Sequence, residues 1–273
     1  MTDKLRFGTG GAPISTPDRT TINGLHELKR LGLQNMELEF VRSVFLKEKS
    51  AAEVKKIAEE NDIALTAHGS YYINLNSKEE AKIEASKKRI FDGANMADKA
   101  GARSITFHPA FYQGMDKEQV YKTAKKHLIQ VRDQCSDAGM KIMLRPETTG
   151  KGTQFGHFKE LTRLGAETGC LPCVDFAHVH AREQKWNTKD EFHDILSHLE
   201  NELDIIKNMH IHMSGINYGE KGEKNHLLLE ESDFNWKELL KTWKEFGVKG
   251  VVVCESPVME KDALLMQKFY NKI

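Results

Sequence analysis

The fold class predicted by this sequence is α/β, a (β/α)8 barrel. Three observations predict it. Short apolar runs alternate strictly with helical patterns from one end of the chain to the other. The alternation repeats every 34 residues or so, and about eight such units fill 273 residues. No Pro/Gly/Ser-rich linker interrupts it, and the chain holds only six prolines. One domain spanning 1–273 is therefore expected.

The elements follow in order. Residues 4–8, "KLRFG", read as a first strand. "INGLHELKRLG" reads as a helix, with Ile22, Leu25, Leu28 and Leu31 at three-residue spacing on one stripe. A second strand is expected over 35–41, then a helix over 51–61. The third strand is 63–69, followed by a long helix over about 78–100 that closes at Gly101. The fourth strand is 104–109, with a helix over 117–138 ending at Gly139. The fifth is 141–147, followed by a helix over 158–169. Residues 171–178 read as the sixth strand, followed by a helix over 188–203. The seventh is 209–215, and a long polar loop leads from it to a helix over 235–246. The eighth is 250–257, and the last helix covers 260–272. Strand–helix–strand connections demand parallel pairing and right-handed crossovers. A doubly wound open sheet would use fewer strands and need a topological switch point. The units share no sequence repeat.

Composition excludes several function classes. Charged residues make up 29% and apolar residues 39% of the chain, a globular balance. Lys plus Arg equals Asp plus Glu, so the chain has no overall positive field, and any nucleic-acid contact must come from a local patch. No apolar run reaches the ~20 residues of a membrane span, and "MTDKLRFG" carries no signal-peptide core. Four cysteines in this length argue against a disulfide scaffold and point to a reducing cytoplasm. Cys170 and Cys173 form a lone CxxC that reads as small residues entering a strand. The glycines of "GTGGAP" (8–13) lack the lysine of a phosphate loop and suit a tight turn at a barrel mouth.

Barrel active sites are built at the C-terminal ends of the strands. Those ends read His68, His108, Glu147, Asp175 with His178, His212 and Glu255. Each could be a hydrogen-bonded wall residue or a helix cap. Together they would crowd carboxylates into one mouth, where like charges repel. Divalent cations remove that conflict, and imidazole with carboxylate suits zinc, manganese or iron. Such a set exceeds one tetrahedral site, so two or three ions are expected. Glu37 and Glu39 share one face of the second strand and carry no assigned role. His157, His180, His193, His198 and His210 also carry none. Arg145, just before "PE", is expected near the mouth, where it could meet a phosphate or a sugar acid.

At this point the chain resembles the endonuclease IV family of apurinic/apyrimidinic endonucleases, within the xylose-isomerase-like barrel superfamily. The matching stretches are "AHGSYYINL" (67–75), "FHPAFYQG" (107–114), "PETTGKGTQFG" (146–156), "CVDFAHVHA" (173–181), "IHMSG" (211–215) and "CESP" (254–257), in the family's order. The resemblance implies a trinuclear zinc site. His68 and His108 would hold one ion, with Glu147 bridging to a second that Asp175, His212 and Glu255 complete. His178 would hold the third. The family completes that third site with an Asp, and a His two residues on, from the loop after the seventh strand. Here that spacing falls on Glu223 and Asn225, with His226 one step later. Asn225 is a poor zinc ligand, so a third site requires Glu223 in place of Asp and a shift that recruits His226.

The resemblance further implies metal-assisted hydrolysis of duplex DNA 5′ to an abasic site, in base excision repair. Glu147 would bridge, and Glu255 would orient or deprotonate the attacking water. Tyr71 and Tyr72 stand where family members insert side chains into DNA; the alternative is packing on a neighbouring loop. Arg42, Lys151, Lys221 and Lys224 could contact phosphates. Two rivals stay open. A sugar isomerase or epimerase of the same superfamily would use one metal on Glu147, Asp175, His212 and Glu255. A barrel that binds metal or damaged DNA without turnover is the other.

Overall fold

The computed structural model describes residues 3–273. Eight parallel strands form the barrel: β1 (Leu5–Gly10), β2 (Asn35–Glu39), β3 (Ala64–His68), β4 (Ser104–Phe107), β5 (Met143–Pro146), β6 (Val174–Asp175), β7 (Met209–Met213) and β8 (Gly250–Cys254). Hydrogen-bonded order runs β5-β4-β3-β2-β1-β8-β7-β6. The ring closes between β5 and β6 through one parallel bridge, Glu147 with Cys173. Two amide bonds make that seam: Cys173 N donates to Pro146 O at 2.9 Å, and Thr148 N to Cys173 O at 3.1 Å.

Nine helices are found among the described residues: α1 (Thr21–Leu31), α2 (Glu48–Glu60), α3 (Glu80–Lys99), α4 (Lys117–Asp137), α5 (Phe158–Thr168), α6 (Phe176–Glu183), α7 (Lys189–Leu203), α8 (Trp236–Phe246) and α9 (Glu260–Lys272). Their ends follow local chemistry. Thr20 caps α1 by accepting from Asn23 N, and Gly32 ends it in the left-handed region at φ 77°. Thr188 and Glu191 form a reciprocal capping box at the start of α7. None of the helices is long and apolar enough to cross a membrane.

Two elements differ from the sequence expectation. The sixth strand ends at Asp175 rather than continuing to 178, and α6 begins at once. Asp175 accepts from His178 N at 2.7 Å, so the carboxylate that ends the strand also caps the helix. The polar loop after β7 contains a hairpin, Gly215–Gly219 paired antiparallel with Gly222–Leu227. A second small pairing, Ala110–Phe111 with Gln154–Phe155, ties the loops after β4 and β5 together.

Strand alternation splits the core into two layers. Met36, Leu38, Ile105, Phe107, Ile211, Met213, Val252 and Cys254 belong to the main apolar core, together with helix residues such as Leu25, Leu128 and Trp243. Trp243 of α8 packs edge-on against Phe176 of α6, with ring centroids 5.6 Å apart. The barrel interior is instead polar. Ser104 of β4 meets His210 of β7 at 3.1 Å, and Glu37 of β2 meets His210 and His212 of β7, contacts that only inward-facing residues can make.

Arg145 lies inside the barrel, 1% exposed. It does not reach the mouth as expected. Its guanidinium donates to Pro172 O (3.1 Å) and Asn208 O (2.7 Å), the carbonyls that lead into β6 and β7. The reason is the pleat: Arg145 shares the inward face with Glu147 but sits two residues deeper, about 7 Å further from the mouth.

Candidate metal centre

The strand-end residues come together at the C-terminal mouth. His68, His108 and Glu147 present donor atoms within 4.8 Å of one another, and so do Glu147, Asp175, His212 and Glu255. Glu147 belongs to both groups. His68 Nε2 stands 3.2 Å and His108 Nε2 3.5 Å from Glu147 Oε2. His212 Nδ1 lies 3.1 Å from Glu147 Oε1 and 3.5 Å from Glu255 Oε2.

A third group joins them. Asp175, His178 and His226 also present donors within 4.8 Å. His178 Nε2 is 3.3 Å from His226 Nε2 and 3.5 Å from Glu223 Oε2. His226 takes the position, and Asn225 turns aside to accept from Asn217 Nδ2 and donate to His226 O. The hairpin explains this. Tyr218 pairs with Glu223 but Asn217 pairs with Asn225, so Lys224 is an extra, unpaired residue. A bulge breaks the alternation of faces, so residues three apart, Glu223 and His226, point the same way.

The surrounding loops set this geometry. Thr148 bridges the seam: its amide meets Cys173 O, and its hydroxyl meets both Asp175 N (2.8 Å) and Asp175 O (3.1 Å). Thr148 O also lies 3.0 Å from His178 Nδ1, which orients that ring. Arg182 of α6 donates to Thr149 O, Thr149 Oγ1, Lys151 O and Gln154 O, pinning the loop after β5 from below. Gly150 makes room for the hairpin. A Cβ there would fall 2.6 Å from Glu223 Cβ and 2.7 Å from Glu223 Oε2.

The electrostatics are those of interleaved acids and imidazoles. Burial alone would raise the Glu147 carboxyl, but His212, His108 and His178 hold it well below the usual range. Burial likewise opposes ionisation of Glu255, yet His212 and His226 bring it down to about 2. His68 and His178 rise to about 10 against burial, His68 through Glu147 and His178 through Asp175 and Glu147. Burial, followed by the charge of Glu37, pushes Glu39 up to about 8.

Two observations show that a divalent ion fits. Oε2 of Glu147 and Oδ2 of Asp175 are buried without any hydrogen-bond partner among the described residues, which is costly for a carboxylate unless a cation supplies the missing contact. Ligand bonds of about 2.0–2.2 Å in a tetrahedral site place donors roughly 3.3–3.6 Å apart. The mouth separations of 3.1–3.5 Å lie close to that edge length.

Sequence reasoning assigned nothing to three residues around the centre. Glu37 is fully buried between His210 Nε2 and His212 Nε2, each 2.9 Å away, in contacts that are not aligned hydrogen bonds. His210 is neutral, brought down to about 4 by burial. Glu39 sits at the register level of His68, and its Oε1 occupies space that a Cβ on Gly10 would crowd at 3.2 Å. The shared inward face of Glu37 and Glu39 was the available signal. His210 gave the same signal through its alternation with His212.

Tyr71 and Tyr72 are 62% and 64% exposed. Tyr71 stands edge-on to His68 at 5.7 Å, and Tyr72 has the Arg89 guanidinium over its ring at 5.9 Å. Lys221 and Lys224 are exposed on the hairpin, and Arg42 on the loop after β2. His180 is occupied away from the centre, with Nδ1 2.7 Å from Lys185 O. Cys135, Cys170, Cys173 and Cys254 are all free thiols and buried.

Comparison with known proteins agrees with the fold. An uncharacterised protein of Methanocaldococcus jannaschii is 44% identical over 98% of both chains. A probable endonuclease 4 of Aquifex aeolicus is 24% identical over 66% of this chain and 65% of its own. Endonuclease IV of Thermus thermophilus superposes with a TM-score of 0.76 at 18% identity, covering 98% of this chain and all of that one. A D-tagatose 3-epimerase-like protein superposes with a TM-score of 0.74 at 16% identity, over 98% and 96%. The family model described as "Xylose isomerase-like TIM barrel" matches residues 25–269. The chain belongs to the xylose isomerase-like TIM barrel family.

Proposed function

We propose that this protein is a metal-dependent phosphodiester hydrolase of the endonuclease IV kind, cutting duplex DNA on the 5′ side of abasic sites. One observation carries the reading: His178, His226 and Glu223 gather a third set of donors beside the two that share Glu147. A single-metal sugar enzyme needs only Glu147, Asp175, His212 and Glu255, and the third set is surplus to it. Likeness to the Aquifex probable endonuclease 4 supports the same direction.

In this reading His68, His108 and Glu147 hold one zinc, and Glu147, Asp175, His212 and Glu255 hold a second. His178, His226 and Glu223 hold a third. Manganese suits the same nitrogen and oxygen donors. Ions bound here supply Lewis acidity and lower the pKa of a coordinated water. Glu255, more exposed than Glu147, would orient that water and would accept its proton. Glu147 fixes the spacing between the first two ion positions. Tyr71 and Tyr72 offer exposed ring faces for stacking on unpaired bases. Lys151, Lys221, Lys224 and Arg42 stand at the rim for phosphate contacts. None of the mouth carboxylates has a Lys or Arg ion-pair partner among the described residues. Bound cations are therefore what would make the mouth attractive to a phosphate.

A sugar isomerase or epimerase is the second reading. It is favoured by the four-residue set centred on Asp175 and His212, and by Glu37 and Glu39 in the inner wall. The test is metal stoichiometry on purified protein, together with nicking of a duplex carrying one abasic site. Two or three zinc ions and nicking that falls about 10³-fold or more in Glu147→Ala are expected. A single manganese with no nicking, and turnover of a ketose, would sink the nuclease reading. Tight abasic-DNA binding without nicking would point to a non-catalytic binder.

A further inference from the structure

Beneath the mouth runs a line of buried polar groups that the mechanism above leaves unused. Ser104 Oγ lies 3.1 Å from His210 Nδ1. His210 Nε2 lies 2.9 Å from Glu37 Oε2, and Glu37 Oε1 lies 2.9 Å from His212 Nε2. His212 then presents Nδ1 to Glu147 and Glu255. Glu37, His210 and His212 are 0%, 1% and 0% exposed. Neither oxygen of Glu37, nor either Nε2, has any aligned hydrogen-bond partner among the described residues. The two rings are the nearest polar groups to the carboxylate, and the Cys173 thiol lies close to both rings.

We infer that Glu37, backed by His210, is the positioning residue that fixes which nitrogen of His212 faces the metal centre. A carboxylate can only accept. Once an ion displaced the proton between His212 Nδ1 and Glu147, 3.1 Å apart, the ring's remaining proton would sit on Nε2 facing Glu37, and Nδ1 would be the nitrogen free to ligate. A carboxylate behind a ligating imidazole also makes it a stronger donor, and losing such a partner usually costs 10–100-fold in metal affinity. The separations support this division of labour. The 2.9 Å contacts of Glu37, though not aligned as hydrogen bonds, are shorter than the 3.1 Å and 3.5 Å from His212 Nδ1 to Glu147 and Glu255, a spacing close to that of atoms that share an ion. Placement supports it too. Glu37 comes from β2 and His212 from β7, on opposite walls, so the contact spans the barrel and locks the ring from the far side.

This inference rests on the metal centre proposed above, and its test separates the two. Zinc stoichiometry and affinity are measured by chelator competition on the full chain, with Co²⁺ absorption as a report on ligand geometry. Wild type, Glu37→Gln, Glu37→Asp and His210→Gln are compared, with the melting temperature of each recorded. Wild type that binds no divalent ion would refute the centre itself. If the centre stands, Glu37→Gln is expected to weaken one ion by 10–100-fold, shift the Co²⁺ spectrum and leave the other ions unchanged. Glu37→Asp should recover part of the loss, and His210→Gln should show a smaller loss in the same direction. Unchanged affinity in a folded Glu37→Gln would overturn the inference, as would equal weakening of every ion. If Glu37→Gln does not fold, His210→Gln decides by the same criteria. Loss of one whole ion in His210→Gln, with the ion at Glu147, Asp175 and Glu255 retained, would also overturn it, in favour of an ion seated among Cys173, His210 and His212.

Discussion

His68 and His178 are protonated at neutral pH in the field of their carboxylate neighbours, each held up to about 10. A metal ion needs the unprotonated ring, so it must displace a proton from each. Raising the pH lowers that cost, and falling pH raises it. Apparent zinc affinity should therefore climb steadily from pH 6 to pH 9. Proton release should be detectable when zinc is added in weak buffer by calorimetry in two buffers of different ionisation enthalpy. Flat affinity over that range would show that the two rings are not ligands. At this scale much of the centre was legible in the sequence. His68, His108, Glu147, Asp175, His212 and Glu255 sit at or within one residue of strand ends, which can be read from apolar runs, and His178 follows in the first turn of α6. Arg145, Glu37 and His210 were harder because each sits one layer below the mouth. Sequence periodicity gives the face of a strand but not which partner across a barrel a side chain will meet.

The hairpin after β7 and the loop after β5 are the elements that build the third donor set. They touch at Gly150, where Gly150 O accepts from Glu223 N at 2.9 Å and Lys151 pairs with Gly222. Gly150→Ala would force a Cβ into Glu223, so the hairpin must lift. We expect a loss of about 1–3 kcal/mol in stability, the usual range for overpacking. We also expect selective loss of one bound ion, with the two that share Glu147 retained. Metal analysis after gel filtration, alongside a melting curve, reads both. Equal retention of all ions would remove Glu223 from the set. The bulge at Lys224 explains why the sequence alone left Asn225 and His226 unresolved. A two-residue period points to Asn225, and only the inserted residue turns His226 inward. Helix α6 was missed for a related reason: "CVDFAHVH" is apolar enough for a strand, but Asp175 caps a helix in the middle of it.

At the scale of the whole molecule the eight-unit barrel followed directly from the alternation of short apolar runs and helical stripes, and its element bounds lie within a few residues of expectation for most units. What composition could not convey is how unevenly the ring is joined. β1 and β8 pair over five residues, whereas β5 and β6 meet through a single bridge. Glu147 follows β5, Asp175 ends β6, and these two carboxylates flank that joint. An ion held by both would act as a clasp on a bracelet, fastening the joint where backbone pairing is thinnest. That ion and the ring's mechanical closure would then be one and the same bond. Stripping the ion should speed amide hydrogen exchange at Thr148 and Cys173 far more than at β1 or β8, and lower the melting temperature in proportion to the lost binding energy, about 2.7 kcal/mol for an ion present at a hundred times its Kd. Uniform exchange around the ring would show that the helices alone hold it shut.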